Sequence, residues 1–202
     1  MSLRPSYLRR KESISTLKPH QILAFTATAD KHIISVINNV LSPDKKMHLI
    51  KGNIDRQTIY YKVIPTLSKS VSLSLLASNV SLRPMIIFFS SRMMCEKVAC
   101  LLTKRLKEPI CRYYHARIDK NERALTEKWF FESDNAILCA TSAYGMGVDK
   151  RNIRTVIHYS LSSDIASFLQ ESGRGGRDGN PTMSITLISV GEKLHGKKSF
   201  TS

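Results

Sequence analysis

The chain has 202 residues, enough for one full domain and part of a second, and its 42% hydrophobic content suits a globular core. The longest apolar run, Met85-Ile86-Ile87-Phe88-Phe89, is far short of a membrane span, and the basic amino terminus lacks the apolar stretch of a signal peptide. A secreted, anchored or membrane-bound chain is therefore not expected, and 31 Lys and Arg against 16 Asp and Glu (net +15) fit either a solvated basic surface or a polyanion-binding face.

In chain order, Gln21–Phe25 reads as a short apolar strand. Asp30 can cap a helix with Ile33, Ile37, Val40 and Leu41 on one face, stopped by Ser42-Pro43-Asp44. Met47–Ile50 and Ile59–Ile64 read as strands. Leu67, Val71 and Leu75 mark a helix, Met85–Phe89 a buried strand, and Met94, Val98, Leu101 and Leu102 the next helix. Ile110–Tyr114 reads as a strand. Asp119 and Glu122 form a capping box for a helix carrying Leu125 and Trp129, with Trp129 expected in the core. Ala136–Ala140 and Arg154–Tyr159 are strands, Asp164–Glu171 a helix, and Thr182–Ile188 the last strand. Residues 191–202 form a polar, basic tail expected to be loose. Repeated strand–helix units imply an α/β fold, a parallel sheet with helices on both faces. In such sheets sites form where loops leave the carboxyl ends of strands.

The cysteines Cys95, Cys100, Cys111 and Cys139 contain no Cys-x-x-Cys pair, so no zinc or other metal site is expected. Cys100 and Cys139 sit in apolar segments and are expected as buried free thiols, a pattern that fits a reducing compartment.

Two segments carry chemistry. In Gln170-Glu171-Ser172-Gly173-Arg174-Gly175-Gly176-Arg177-Asp178-Gly179, two arginines lie among glycines just after a short helix. Glycines let backbone approach another surface closely, and the guanidinium fork suits phosphate oxygens. In Ala140-Thr141-Ser142-Ala143-Tyr144-Gly145-Met146-Gly147-Val148-Asp149-Lys150, hydroxyls and backbone amides at a strand end can bind a phosphate backbone, and Asp149 can hydrogen-bond a ribose. Alone, each segment is equally readable as an ordinary surface turn. His115, after a strand, reads as a turn or core residue.

Together the two segments resemble the sixth and fifth motifs of superfamily 2 helicases, and the RecQ family in particular. Further matches follow the family's order. Leu3-Arg4-Pro5-Ser6-Tyr7 looks like the stretch just beyond the acidic magnesium-binding box, and Ala24-Phe25-Thr26-Ala27-Thr28-Ala29 looks like motif III. Asp55-Arg56 with Ile59 and Tyr61 looks like the junction between lobes. Ile87-Phe88-Phe89-Ser90-Ser91-Arg92 looks like motif IV, and Tyr114-His115-Ala116 like the turn after the next strand. The sequence departs from the pattern at Arg117, where glycine is usual, at Arg151, where proline is usual, and at Gln57-Thr58, which replace Pro-Asn.

The resemblance implies a RecA-like C-terminal helicase lobe at residues 51–190, preceded by a remnant of the first RecA-like lobe at 1–50 and followed by the tail at 191–202. It implies an enzyme that moves 3′ to 5′ on single-stranded DNA, unwinds duplex DNA with ATP and Mg2+, and works in repair and recombination. Such a protein is expected in the nucleus of a eukaryote or on the nucleoid in bacterial cytoplasm. Arg177 would be the arginine finger, with Arg174 its partner on the γ-phosphate and Gln170 beside them. Asp149 and Gly147 would meet the nucleotide; Ser90, Arg92, Thr141 and Ser142 would line the strand track; Thr26 and Thr28 would couple ATP state to lobe position.

The sequence has no Asp-Glu dipeptide and no G-x-x-x-x-G-K-[ST] loop; Gly191–Lys198 nearly spells one, but Lys198 replaces the required hydroxyl. The chain is thus expected to begin inside lobe one, to need a first lobe in cis or trans, and to be inactive alone. A non-catalytic DNA-binding fragment from a degenerate helicase gene is the alternative reading.

Overall fold

The computed structural model describes residues 14, 16–17, 19–25, 31–41, 47–50, 56–144 and 150–190. The chain forms two compact units, Met1–Ile54 and Asp55–Ser202. In the first, the helix α1 (Lys31–Leu41) matches the expected periodicity, with Ile37, Val40 and Leu41 half-buried. Asp30 and Ser42-Pro43-Asp44 lie outside the described residues. Residues 21–25 and 47–50 are not strands, contrary to expectation. A strand exists only where a ladder partner takes its amides and carbonyls, and no described residue of this unit pairs with either stretch.

The second unit runs β1 (Ile59–Thr66), α2 (Lys69–Ser78), β2 (Met85–Phe88), α3 (Arg92–Leu106), β3 (Cys111–Tyr114), α4 (Lys120–Glu132), β4 (Ile137–Ala140), β5 (Thr155–His158), α5 (Ile165–Ser172) and β6 (Thr182–Ser189). The six strands form one sheet in the order β1-β6-β5-β2-β4-β3, and every neighbouring pair is parallel. Strands β2, β4 and β5, inside the sheet, are buried at every residue, which is why β2 and β4 read as unbroken apolar runs; β5 buries Thr155 and His158 at its ends. Parallel neighbours need crossovers, and the helices supply them. On one face Leu73 and Ala77 of α2 and Val98 and Leu102 of α3 pack over Ile87, Cys139, Ile157 and Leu187. On the other, Phe130 of α4 packs over Ile86, Phe88, Leu138 and Val156. Tyr144 meets Tyr114 and Phe130 edge-on there, at centroid separations of 5.2 and 6.0 Å.

Strand and helix positions follow the sequence closely; several buried faces do not. In α2 the buried residues are Leu73 and Ala77, whereas Val71 and Leu75 are exposed and Leu67 precedes the helix. Two apolar stripes run along this helix, so periodicity alone does not choose between them. In α4 Thr126 and Phe130 face the core, Leu125 is exposed, and Trp129 is half-buried with the Arg112 guanidinium 4.6 Å from its ring centroid. Asp119 caps α4 by accepting from the Asn121 amide at 2.8 Å, with no reciprocal bond from Glu122 among the described contacts. Cys139 is buried as expected; Cys100 is exposed, because α3 turns Cys95, Val98, Ala99 and Leu102 inward. Burial pushes the Cys95 thiol up to about 12, so it stays protonated and unreactive at neutral pH.

Arg83 closes the end of α2. Its Nε and Nη2 donate to the Ala77 carbonyl at 2.9 and 2.6 Å, and Nη1 donates to Asn135 Oδ1 at 3.0 Å. Ala77 lies in the last turn of the helix, whose carbonyls lack helical donors. Arg83→Ala leaves that buried carbonyl unpaired, and the urea midpoint should report a loss of about 1–3 kcal/mol. An unchanged midpoint contradicts this role.

Candidate functional site

The glycine-rich segment 173–179 connects α5 to β6 and lies against the amino ends of β5 and β6. The Gly176 amide donates to the Ile153 carbonyl at 3.0 Å and the Asp178 amide to the Arg151 carbonyl at 3.2 Å. The approach is too close for side chains. A Cβ on Gly175 would lie 2.2 Å from Thr182 Cγ2, and one on Gly176, at φ +56°, would lie 2.6 Å from the Asn180 carbonyl. Arg56, just before β1, reaches over the segment. Nη1 donates to the Gly173 carbonyl at 2.9 Å, and Nη2 to the carbonyls of Gly175 and Gly176 at 3.0 and 2.8 Å. Arg154 pairs with Asp178 through both terminal guanidinium nitrogens, Nη1 and Nη2. The hydrogen bond from Arg154 holds the Asp178 carboxyl well below the usual carboxylate range.

This backbone sends the two arginines different ways. Arg174 is 6% exposed, its guanidinium 5.7 Å from the Tyr144 ring centroid. Burial, and next the charge of Arg177, push its pKa below the ordinary arginine value. Arg177 is exposed, with Nε donating to the Gly173 carbonyl at 3.3 Å. Gln170 is exposed near the end of α5.

A buried polar cluster seats α5. His158, fully buried at the end of β5, has Nδ1 3.1 Å from Glu171 Oε2, and its Nε2 lies 3.2 Å from Ser172 Oγ and 3.3 Å from Ser184 Oγ. Ser162 Oγ donates to the same Glu171 oxygen at 2.6 Å.

The strand-track candidates occupy the opposite edge. Ser90 and Arg92 follow β2, Thr141 and Ser142 follow β4, and all but Thr141 are exposed. Thr141 is 8% exposed; its amide donates to the Tyr114 carbonyl at 3.1 Å and its Oγ1 accepts from the Ala143 amide at 3.4 Å. Of these four candidates, the exposed hydroxyls are therefore those of Ser90 and Ser142. These four candidates lie at the carboxyl ends of strands, while Arg174 and Arg177 sit at amino ends, because α5 delivers its carboxyl end there. Tyr144 joins the two groups: its amide donates to the Thr141 carbonyl at 3.0 Å, and its ring faces Arg174. Thr26, Thr28, Gly147 and Asp149 lie outside the described residues.

Sequence reading missed three participants. Arg56 stood in a matched segment without a role, Tyr144 had the signal of an aromatic inside a glycine-rich turn, and Arg154 had none. Among the described residues no cluster of His, Cys, Asp and Glu could hold a metal ion. No helix among them is long and apolar enough to cross a membrane.

Two substitutions test the clamp. Arg56→Ala should cost about 2 kcal/mol and speed amide exchange at 173–179 more than in β2 or β4. Gly175→Ala should cost about 1–3 kcal/mol through overpacking against Thr182. Thermal unfolding with site-resolved hydrogen exchange checks both, and uniform exchange changes across the sheet would argue against a local clamp.

The family described as "Helicase conserved C-terminal domain" matches residues 67–179. The chain is 33% identical over 180 residues to the RecQ-like DNA helicase blm-1 of Caenorhabditis elegans, covering 87% of this chain and 18% of that protein. It is 30% identical over 194 residues to the probable ATP-dependent DNA helicase RecS of Bacillus subtilis (strain 168), covering 94% and 38%. The RecQ-like DNA helicase BLM of Xenopus laevis is 33% identical over 190 residues, covering 92% and 14%. The chain thus spans well under half the length of these relatives. Among solved structures, the DEAD-box helicase Mss116 bound to ssRNA and UDP-BeF superposes with a TM-score of 0.67 at 21% identity, covering 82% of this chain and 35% of that one, a likeness of fold. The parallel sheet with helices on both faces is the RecA-like lobe of that fold, and the chain belongs to the helicase conserved C-terminal domain family as a RecQ-like member.

Proposed function

We propose that this lobe belongs to an ATP-dependent DNA helicase that unwinds duplexes by moving 3′ to 5′ on single-stranded DNA. A first lobe, in cis or trans, would complete the site. The observation that carries the reading is the exposed Arg177 guanidinium on a segment whose carbonyls are clamped by Arg56. A fixed, solvent-facing fork can stabilise charge on a transferring phosphoryl group without reorganising. Arg177 is the finger in this reading. Arg174, held against Tyr144, is its partner toward the γ-phosphate, and Gln170 lies on the preceding helix turn. Asp149 and Gly147 are assigned to the nucleotide, and Thr26 and Thr28 to coupling, on sequence resemblance.

ATP, when bound, supplies the phosphoryl group and its free energy of hydrolysis. The guanidinium groups of Arg174 and Arg177 suit its terminal phosphates, and Mg2+ is assigned to the first lobe on sequence resemblance. Ser90, Arg92, Thr141 and Ser142 form the strand track at the carboxyl edge of the sheet, with Thr141, its amide and carbonyl engaged by Tyr114 and Tyr144, fixing the start of the turn that presents Ser142. The DNA substrate sets the place of action: the nucleus in a eukaryote, the nucleoid in a bacterium.

The chain by itself should bind single-stranded DNA weakly and without strong sequence preference. Its affinity should fall by about 0.7 log units per tenfold salt for each phosphate neutralised. Fluorescence anisotropy at several salt concentrations measures this, and salt-independent affinity counts against a backbone-reading track.

The chain alone should release no phosphate from ATP, because positioning and metal ions provide most of the catalysis. Joined to a compatible first lobe bearing a phosphate loop and acidic box, it should show DNA-stimulated turnover. Arg177→Ala should then lower the rate by roughly 10³–10⁵ with little change in DNA affinity. Arg177→Lys should rescue poorly, since an ammonium lacks the fork. If Arg177→Ala instead weakened DNA binding while turnover at saturating DNA persisted, the arginine would belong to the track.

A further inference from the structure

The carboxyl edge of the sheet holds one more exposed cation in line with the strand track. β3 is the neighbour of β4, and the Thr141 amide donates to the Tyr114 carbonyl at the point where both strands end. The loops leaving β2, β4 and β3 therefore stand side by side, each about 4.8 Å from the next, so the row spans roughly 10 Å. It presents Arg92 and Ser90, then Ser142, then the turn after β3, whose exposed cation is Arg117.

That turn is rigidly based. The Ile118 amide donates to the His115 carbonyl at 3.3 Å. His115 is 5% exposed, its Nε2 lies 2.6 Å from Glu96 Oε1, and its ring stacks on Tyr113 at a centroid separation of 5.6 Å. The acids nearest in the chain and across α3 are committed elsewhere, Glu96 to His115 and Asp119 to the Asn121 amide. Among the described residues Arg117 has no ion-pair partner. A guanidinium on a fixed turn, unneutralised by protein and in line with exposed hydroxyls, is arranged for an external anion.

We propose that Arg117 extends the strand track by one phosphate, so that arginines at positions 92 and 117 flank the hydroxyls of Ser90 and Ser142 and bind consecutive parts of one single-stranded DNA backbone. This rests on the strand-track reading above. Loss of Arg117 removes one counterion-releasing contact, whereas loss of a remote charge changes only the diffuse field, and salt dependence separates the two.

The test is oligo-dT binding by the full chain, followed by anisotropy across a salt series. The variants are Arg117→Gly, Arg117→Lys and, as a charge-matched control, Lys104→Ala in the last turn of α3, toward the opposite edge of the sheet. Arg117→Gly should lower affinity several-fold at low salt and flatten the log–log salt slope by about 0.7. Arg117→Lys should keep the slope, and Lys104→Ala should leave it within error. Thermal melts should show all three variants folded, as expected of exposed positions. Wild-type binding with an unchanged Arg117→Gly slope overturns the proposal and leaves the track reading standing. Equal flattening by Lys104→Ala also overturns it, since net charge would then be the cause. No wild-type binding at low salt overturns both.

Discussion

The close approach of the Gly173–Gly179 segment to the amino ends of β5 and β6 is the constraint on which the arrangement depends. Glycine at 175 and 176 lets the backbone come within hydrogen-bonding distance of Ile153, where a Cβ would strike Thr182 or Asn180. At that distance Arg56 can gather three carbonyls into one guanidinium, and Asp178 can meet Arg154. With the backbone fixed, Arg174 and Arg177 have no choice of direction: one enters the protein beside Tyr144, the other faces solvent. The division between a packed and a presented arginine follows from the path of the chain.

A second consequence is the separation of two chemistries across one sheet. Ser90, Arg92, Thr141 and Ser142, the residues proposed for a nucleic-acid backbone, stand at the carboxyl ends of β2 and β4, and Arg174 and Arg177, proposed for a nucleotide, stand at the amino ends of β5 and β6. Tyr144 bridges them through a backbone bond to Thr141 and a ring contact to Arg174. Burial raises its phenol above the ordinary range, so it serves as a neutral packing piece. An aromatic ring wedged against Tyr114 and Phe130 has little room to yield, which makes it a stiff connection between the two edges.

Much of this was legible in the sequence, for identifiable reasons. Strands β2 and β4 betray themselves as apolar runs, and the glycine–arginine segment and the Thr141–Lys150 segment announce backbone chemistry. What stayed hidden was orientation. The apolar residues of α2 fit either of two stripes, and only packing chose Leu73 and Ala77 over Val71 and Leu75. Cys100 and Trp129 look like core residues by neighbourhood, yet α3 and α4 turn them outward or halfway. Arg154 pairs across sequence with Asp178, and no local pattern marks a partner 24 positions away. Unpaired segments such as 21–25 show the converse: strand-like composition makes no strand without a neighbour.

The cluster around His158 has a mechanical meaning. Glu171 and Ser172 of α5 find their partners at one axial setting only, since sliding the helix by a turn, about 5.4 Å, would carry both past the imidazole and leave buried polar atoms without donors or acceptors. A purely oily contact in that place would tolerate such creep; this one does not. Helix α5 is thus keyed to the sheet like a toothed shaft, and whatever displaces the segment beyond Gly173 must carry β5 and β6 along with it.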